Sequence, residues 1–156
     1  MIRIRQIERA DLDHLFALDQ ICFRPGIAYS RADLSYFIRH PRSISYAAVD
    51  SAEQLLGFAI AESYLEHGMR IGHVVTIDVA PEQRRRGVGG QLMQAILDGL
   101  AKLKVGEVRL EVAVDNDDAQ SFYARLGFEP VGRIPGFYMG TLDAITMRRP
   151  LHNPAP

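Results

Sequence analysis

The 156-residue chain predicts an α/β (α+β) fold: a mixed, mostly antiparallel seven-stranded sheet flanked by four helices. Three observations carry that expectation. Period-2 and period-3.6 apolar patterns succeed one another in the order β-α-α-β-β-β-α-β-α-β-β. The turn segments Asp50-Ser51-Ala52-Glu53 and Glu66-His67-Gly68-Met69 join the middle strands as hairpins, hence antiparallel. A single strand–helix–strand passage then supplies a parallel crossover, because parallel neighbours need a long connection.

The elements follow in order. Ile2, Ile4 and Gln6 mark a first strand by alternation, and Asp11 is placed to cap a helix carrying Leu12, Leu15, Phe16, Leu18 and Ile21. A turn-rich but apolar connector runs from Cys22 to Tyr29. Ser30 with Asp33 starts a short helix through Leu34, Phe37 and Ile38, which Pro41 stops. Strands are expected at Ser43–Val49, Leu55–Leu65 and Ile71–Val79. The longest helix follows Gly87 and runs to about Lys104, with Val88, Leu92, Ala95, Ile96, Gly99, Leu100 and Leu103 on its apolar face. Val108, Leu110, Val112 and Val114 alternate as the next strand. Asn116 or Asp115 caps a helix with Ala119, Phe122, Tyr123 and Leu126 at i, i+3, i+4 and i+7, and Gly127 suits a left-handed stop. Val131–Ile134 and Asp143–Arg149 pair last, around a Pro135–Gly140 loop.

Composition bounds the function. The chain is 47% hydrophobic with a net charge of −1, so a packed core is affordable and bulk nucleic-acid or anionic-membrane binding is disfavoured. Residues 1–150 read as one domain and 151–156 as a frayed tail. No signal-like or membrane-spanning apolar run occurs, so a cytoplasmic monomer or homodimer is expected. The single cysteine, Cys22, permits no intrachain disulfide and reads as a buried structural thiol. His14, His40, His67, His73 and His152 show no metal-ligand spacing, so no metal is expected. His73 is either a structural strand residue or an auxiliary base.

The segment richest in chemistry is Val79-Ala80-Pro81-Glu82-Gln83-Arg84-Arg85-Arg86-Gly87-Val88-Gly89-Gly90-Gln91. It leaves a β-branched strand, turns at proline, and opens a helix through arginines and glycines. A helix N-terminus offers unsatisfied N–H groups and partial positive charge, and glycines let those amides approach an anion. A P-loop is excluded because no Lys-Ser or Lys-Thr follows, and a dinucleotide fingerprint because Leu92 stands where its third glycine belongs. Two readings remain from these residues alone: a phosphate-bearing ligand, or a solvated basic cluster on a glycine-started helix.

The remaining pattern, R-x-x-G-x-G at Arg84–Gly89, resembles the pyrophosphate loop of the GNAT-type N-acetyltransferases. A second motif lies downstream: Leu110-Glu111-Val112, Asn116, Ala119, then Phe122-Tyr123-Ala124-Arg125-Leu126-Gly127-Phe128. It is similar to the signature of the bacterial ribosomal-protein alanine N-acetyltransferases and their N-terminal-amine relatives. The resemblance implies the GNAT fold with splayed central strands, and acetyl-CoA as cosubstrate. It places Ile77, Asp78 and Val79 along the pantetheine arm, Arg84, Arg85, Arg86, Gly87, Val88, Gly89 and Gly90 around the diphosphate, and Asn116 and Tyr123 against the cofactor.

For chemistry, the resemblance implies Tyr123 as general acid and Glu111 as general base. The residues alone leave other readings open: Tyr123 as a core tyrosine, Glu111 in an ion pair with Arg109, and Asn116 as a helix cap only. Asp115, Asp117 and Asp118 read as capping and solvated charges. Phe23, Tyr29 and Tyr138 stand where acceptor-clamping aromatics would, or close the core beneath their loops. The Met139-Gly140-Thr141 stretch lacks the acidic residues usual before the last strand. The expected activity is direct transfer from acetyl-CoA to a protein or peptide N-terminal amine. The alternatives are a lysine or small-molecule amine acceptor, and, outside enzymes, an idle coenzyme A-binding module. A nucleic-acid module using Arg84–Arg86 fits the neutral charge balance poorly.

Overall fold

A computed structural model describes residues 1–151. The sheet has seven strands: β1 (Arg3–Gln6), β2 (Ser43–Val49), β3 (Leu55–Glu66), β4 (Met69–Val79), β5 (Glu107–Ala113), β6 (Glu129–Tyr138) and β7 (Leu142–Pro150). Their spatial order is β1-β2-β3-β4-β5-β7-β6. Every neighbour pair is antiparallel except β4 and β5. Helices α1 (Leu12–Cys22) and α2 (Arg31–Arg39) pack on one face over Leu15, Leu18, Leu34, Phe58 and Ile60. Helices α3 (Val88–Lys102) and α4 (Asp117–Arg125) pack on the other, over the larger core of Leu92, Ile96, Leu100, Val108, Leu110 and Tyr123.

Local chemistry explains the turns and caps. The β3–β4 hairpin turns on His67 and Gly68, both at positive φ (49° and 80°), as a two-residue reversal between twisted strands requires. Ser30 accepts the Asp33 N–H at the start of α2, and Asn116 accepts the Ala119 N–H at the start of α4. Gly127 closes α4 at φ 89°. In α3, a Cβ at Gly99 would lie 2.8 Å from the Tyr46 hydroxyl and 2.9 Å from Ile44 Cδ1, so glycine lets the helix sit down on β2.

Four sequence expectations need correction. Asp11 does not cap α1 with its side chain; it takes a two-pronged bond from Arg5 (2.8 Å each) and accepts the Glu8 N–H. The pull of an arginine on the first strand outweighs a local cap. Leu103 leaves the core and is 42% exposed, because Lys104 turns left-handed (φ 62°) and ends α3 at Lys102. The Pro135–Tyr138 stretch is the end of β6, not loop; β6 is an edge strand, where proline costs no ladder bond, and its register shifts between Ile134 and Tyr138. Leu151, in the expected tail, is tied by its N–H to Gly106 O at 2.9 Å, while 152–156 lie outside the described residues.

Candidate active site

The site grows from one failure of pairing. β4 and β5 are in register only at Ile71↔Glu107, Gly72↔Val108 and His73↔Arg109. Beyond His73 the two strands part, and β4 shifts register against β3 at the same level, leaving Val75 bulged. The Ala80 N–H to Leu56 O bond sets the alternation along the β3 edge. It turns the main-chain groups of Ile77 and Val79 away from β3, into the gap, and those of Asp78 toward β3.

At the C-terminal end of this gap stands the N-terminus of α3. Gly87 caps it at φ 85° and Arg85 precedes it at φ 64°. The first helical bond runs from Gln91 N–H to Gly87 O, so the N–H groups of Val88, Gly89 and Gly90 have no acceptor within the helix. A Cβ at Gly89 would meet the Phe122 ring at 3.2 Å and Val79 Cγ2 at 3.6 Å, which explains glycine there. The exposed Arg85 and Arg86 add positive charge, while Arg84 folds back to donate to Val79 O at 3.2 Å. This cradle fits a diphosphate: free amides and the positive end of a helix dipole stand together, with arginines adjacent in the chain.

Titratable groups gather on the α1–α2 face of the gap. His73 Nε2 lies 2.8 Å from Glu111 Oε1, and its Nδ1 lies 3.7 Å from Glu62 Oε1. Burial opposes the charged imidazolium, but the bond and field of Glu111, with Glu62 behind it, outweigh burial and raise the His73 pKa above its usual 6.5. Arg109 does not pair with Glu111; it bonds Glu107 and Glu66 instead. Glu111 also borders an open cleft of about 310 Å³ that continues past Thr146 and Arg148.

The aromatic residues complete the surround. Tyr123 enters from the α4 side, 8% exposed. Burial, then the field of Asp78, then that of Tyr138, hold its phenol protonated well above the ordinary range. Tyr138 is pushed up to about 12 by burial and by Glu111. Tyr29 donates to Val75 O at 3.2 Å and packs edge-on against Phe37 at 5.4 Å, so it braces the bulge as well as facing the site. The connector bearing Tyr29 reaches across: Arg24 pairs with Asp115 at 3.1 Å, and a Cβ at Gly26 would lie 2.1 Å from Met139 Sδ.

The structure thus brings Ile77, Val79, Gly87–Gly90, Glu111, Tyr123, Tyr29 and Tyr138 to one gap. Asn116 spends its side-chain oxygen as the α4 cap, and Phe23 closes the end of α1 with its N–H on Asp19 O. The main-chain groups of Asp78, expected along the pantetheine arm, point to β3 and not into the gap, and its side chain is buried and accepts from the Thr76 hydroxyl at 2.7 Å. Cys22 is half-buried, its thiol donating to Val79 O at 3.5 Å, with its pKa pushed to about 11 by burial. Sequence reasoning missed Glu62 and Asp19. Glu62 is the cross-strand partner of His73, a relation only register reveals. Asp19 had a readable signal: it stands at i+4 from Leu15 in the apolar stripe of α1.

Comparison with known proteins decides the family. Residues 11–128 match the model of the acetyltransferase (GNAT) family. The chain belongs to the GNAT family. It is 32% identical over 117 residues to N-alpha-acetyltransferase 30 of Schizosaccharomyces pombe, covering 74% of this chain and 77% of that one. It is 30% identical over 155 residues to the N-alpha-acetyltransferase RimI of Mycobacterium tuberculosis, covering 99% and 96%. Among solved structures, the ribosomal-protein-S18-alanine N-acetyltransferase from Escherichia coli superposes with a TM-score of 0.83 at 25% identity, covering 96% and 94%. The Arabidopsis thaliana NAA60 structure in complex with acetyl-CoA shares the fold, with a TM-score of 0.87 at 23% identity over 97% and 99%. This GNAT protein is therefore an acetyl-CoA-dependent acetyltransferase. No helix among the described residues is long and apolar enough to cross a membrane.

Proposed function

We propose that this enzyme acetylates the N-terminal amine of a protein or peptide by direct attack within a ternary complex. The observation that carries the reading is the 2.8 Å His73–Glu111 contact at the mouth of the gap, opposite the buried Tyr123 phenol. The kinship to N-alpha-acetyltransferases over most of the chain supports the choice of acceptor.

Each residue has a task set by its position. Acetyl-CoA supplies an activated acyl group as a thioester. The amides of Val88, Gly89 and Gly90 hold its diphosphate, and the main-chain groups of Ile77 with the N–H of Val79 align its pantetheine arm in the gap. The Val79 N–H donates to the thioester carbonyl and stabilises charge developing on that oxygen. Glu111 takes a proton from the incoming ammonium, directly or through a water, with His73 holding the carboxylate in place. The amine nitrogen then bonds to the carbonyl carbon and the carbon–sulfur bond breaks. Tyr123 gives its proton to the departing sulfur and is reprotonated by the second proton that the newly acylated nitrogen sheds, while the proton held at Glu111 returns to solvent. Tyr29 and Tyr138 flank the acceptor, and the cleft beyond Glu111 leaves room for residues after the first. The reaction fits a cytoplasmic location, where acetyl-CoA and nascent chains meet.

Thiol release from acetyl-CoA tests this against matched peptides with free and blocked N-termini and against small amines. Turnover only with the free peptides is expected. Equal turnover with blocked, lysine-containing peptides or with polyamines would overturn the acceptor assignment.

A further inference from the structure

A pair of buried carboxyl groups beside the gap takes no part in the chemistry above. Asp78 on β4 is 1% exposed and Asp19, in the last turn of α1, is fully buried. Their carboxyls are within hydrogen-bonding reach of each other. Asp78 Oδ1 accepts from the Thr76 hydroxyl at 2.7 Å, and Asp19 Oδ2 accepts from the Tyr29 N–H at 2.6 Å. The other two oxygens, Asp78 Oδ2 and Asp19 Oδ1, have no further partner. Two ionised carboxylates could not share such a place, whereas one proton between them satisfies both orphan oxygens with a charge-assisted bond. The shared proton then lies between Asp78 Oδ2 and Asp19 Oδ1, the two oxygens left without another partner.

We propose that Asp19 and Asp78 hold one proton between them, and that this bond fixes the Tyr29 connector against β4, making the pair positioning residues for the acceptor. The geometry is a relay of contacts. Asp78 anchors to β4 one residue before Val79, Asp19 carries the tie to α1, and the Tyr29 N–H hangs from Asp19 while its hydroxyl reaches Val75 O at the bulge. The acceptor loop and the donor strand are thereby held in one register. The charged and titratable groups facing Asp78 are Asp19 and Cys22 from α1, Tyr29 from the connector, Arg84 from the loop before α3, and Tyr123 from α4. The Thr76 hydroxyl bond and the charge of Arg84 favour the ionised form, but burial with Asp19 prevails, raising the Asp78 pKa well above the carboxylate range. A carboxyl with a raised native pKa contributes stability that is lost as pH climbs through that value. The tie therefore loosens on the alkaline side.

The kinetic part of this inference rests on the peptide-acceptor reading; the spectroscopic part does not. Infrared spectra of the full-length protein at neutral pH should contain the carbonyl stretch of a protonated carboxyl that is lost in Asp78→Asn. Asp78→Ala should raise the peptide KM at least tenfold with a much smaller change in kcat, and Asp78→Asn, whose amide can donate to Asp19 as the carboxylic acid does, should recover most of that loss. Across a rising pH series the peptide KM of the wild-type enzyme should climb relative to that of Asp78→Asn. If Asp78→Ala does not fold, the spectra and the pH series of the other two proteins decide. An unchanged infrared band in Asp78→Asn would refute the shared proton whatever the acceptor is. A band that is lost while KM is indifferent to both substitutions and to pH would refute the positioning role. Absence of wild-type peptide turnover would instead count against the acceptor reading.

Discussion

His73 is the last residue of β4 that pairs with β5, and its Nε2 stands 2.8 Å from Oε1 of Glu111, two residues past its own partner Arg109. The contact therefore bridges the two strands where they begin to separate. Glu62, directly across from His73 on β3, adds a second carboxylate behind the ring. On the proposed mechanism, the base Glu111 is thereby pinned to the strand that leads to the free amides of α3.

Glu111→Gln should lower kcat with a peptide acceptor about 100-fold or more, the usual scale for a positioned acid or base. Acetyl-CoA affinity, measured by calorimetry, should stay within a few-fold because the diphosphate cradle is untouched. A variant with full kcat would remove Glu111 as the base.

The His73 charge gives a signed pH expectation. Its folded pKa lies above the unfolded 6.5, so its stabilising contribution is complete below about 6.5 and disappears as pH rises through the folded value. The melting-temperature gap between wild type and His73→Gln should be widest near pH 5 and shrink above neutrality. A gap that widens with pH would contradict the Glu111–His73 pairing.

Tyr123→Phe should depress kcat about 100-fold while the KM for acetyl-CoA moves little, since only the proton donated in the transition state is lost. Retained turnover would exclude the phenol as the acid and leave Tyr123 as a core residue.

Cys22 bears on the route. With its pKa near 11, about one thiol in 10⁴ is ionised at pH 7. Slow alkylation at neutral pH and kcat within about twofold in Cys22→Ser are expected for direct transfer. Loss of activity in that variant together with an acetyl-cysteine adduct by mass spectrometry would point to a covalent intermediate.

What the sequence disclosed, and what it withheld, follow from the range of each interaction. The Gly87–Gly90 loop was legible because a left-handed cap and a close approach to Val79 and Phe122 leave glycines in the chain itself. Ser30, Asn116 and Gly127 were legible for the same reason: a cap is local. Glu111 and Tyr123 could be assigned roles only through resemblance, since neither residue type nor spacing separates a base from an ion-pair partner. The His73–Glu62–Glu111 cluster depends on strand register, and the Asp19–Asp78 contact on how α1 crosses β4; neither is written in any short stretch. Asp11 misled because Arg5, on another element, competed for its carboxylate.

Gly89→Val would place new atoms against Phe122 at a position already only 3.2 Å away for Cβ. It should weaken acetyl-CoA binding at least tenfold while circular dichroism keeps its native shape. Unchanged affinity would argue against the α3 amides as the diphosphate seat.

The central claim is that an α-amine, delivered to Glu111 across the β4–β5 gap, receives the acetyl group. Tandem mass spectrometry of a peptide carrying both a free N-terminus and an internal lysine, after incubation with enzyme and acetyl-CoA, tests it most directly. The account requires the acetyl group on the α-nitrogen in wild type and none in Glu111→Gln. Acetylation of the lysine side chain, or equal labelling by both proteins, would contradict it.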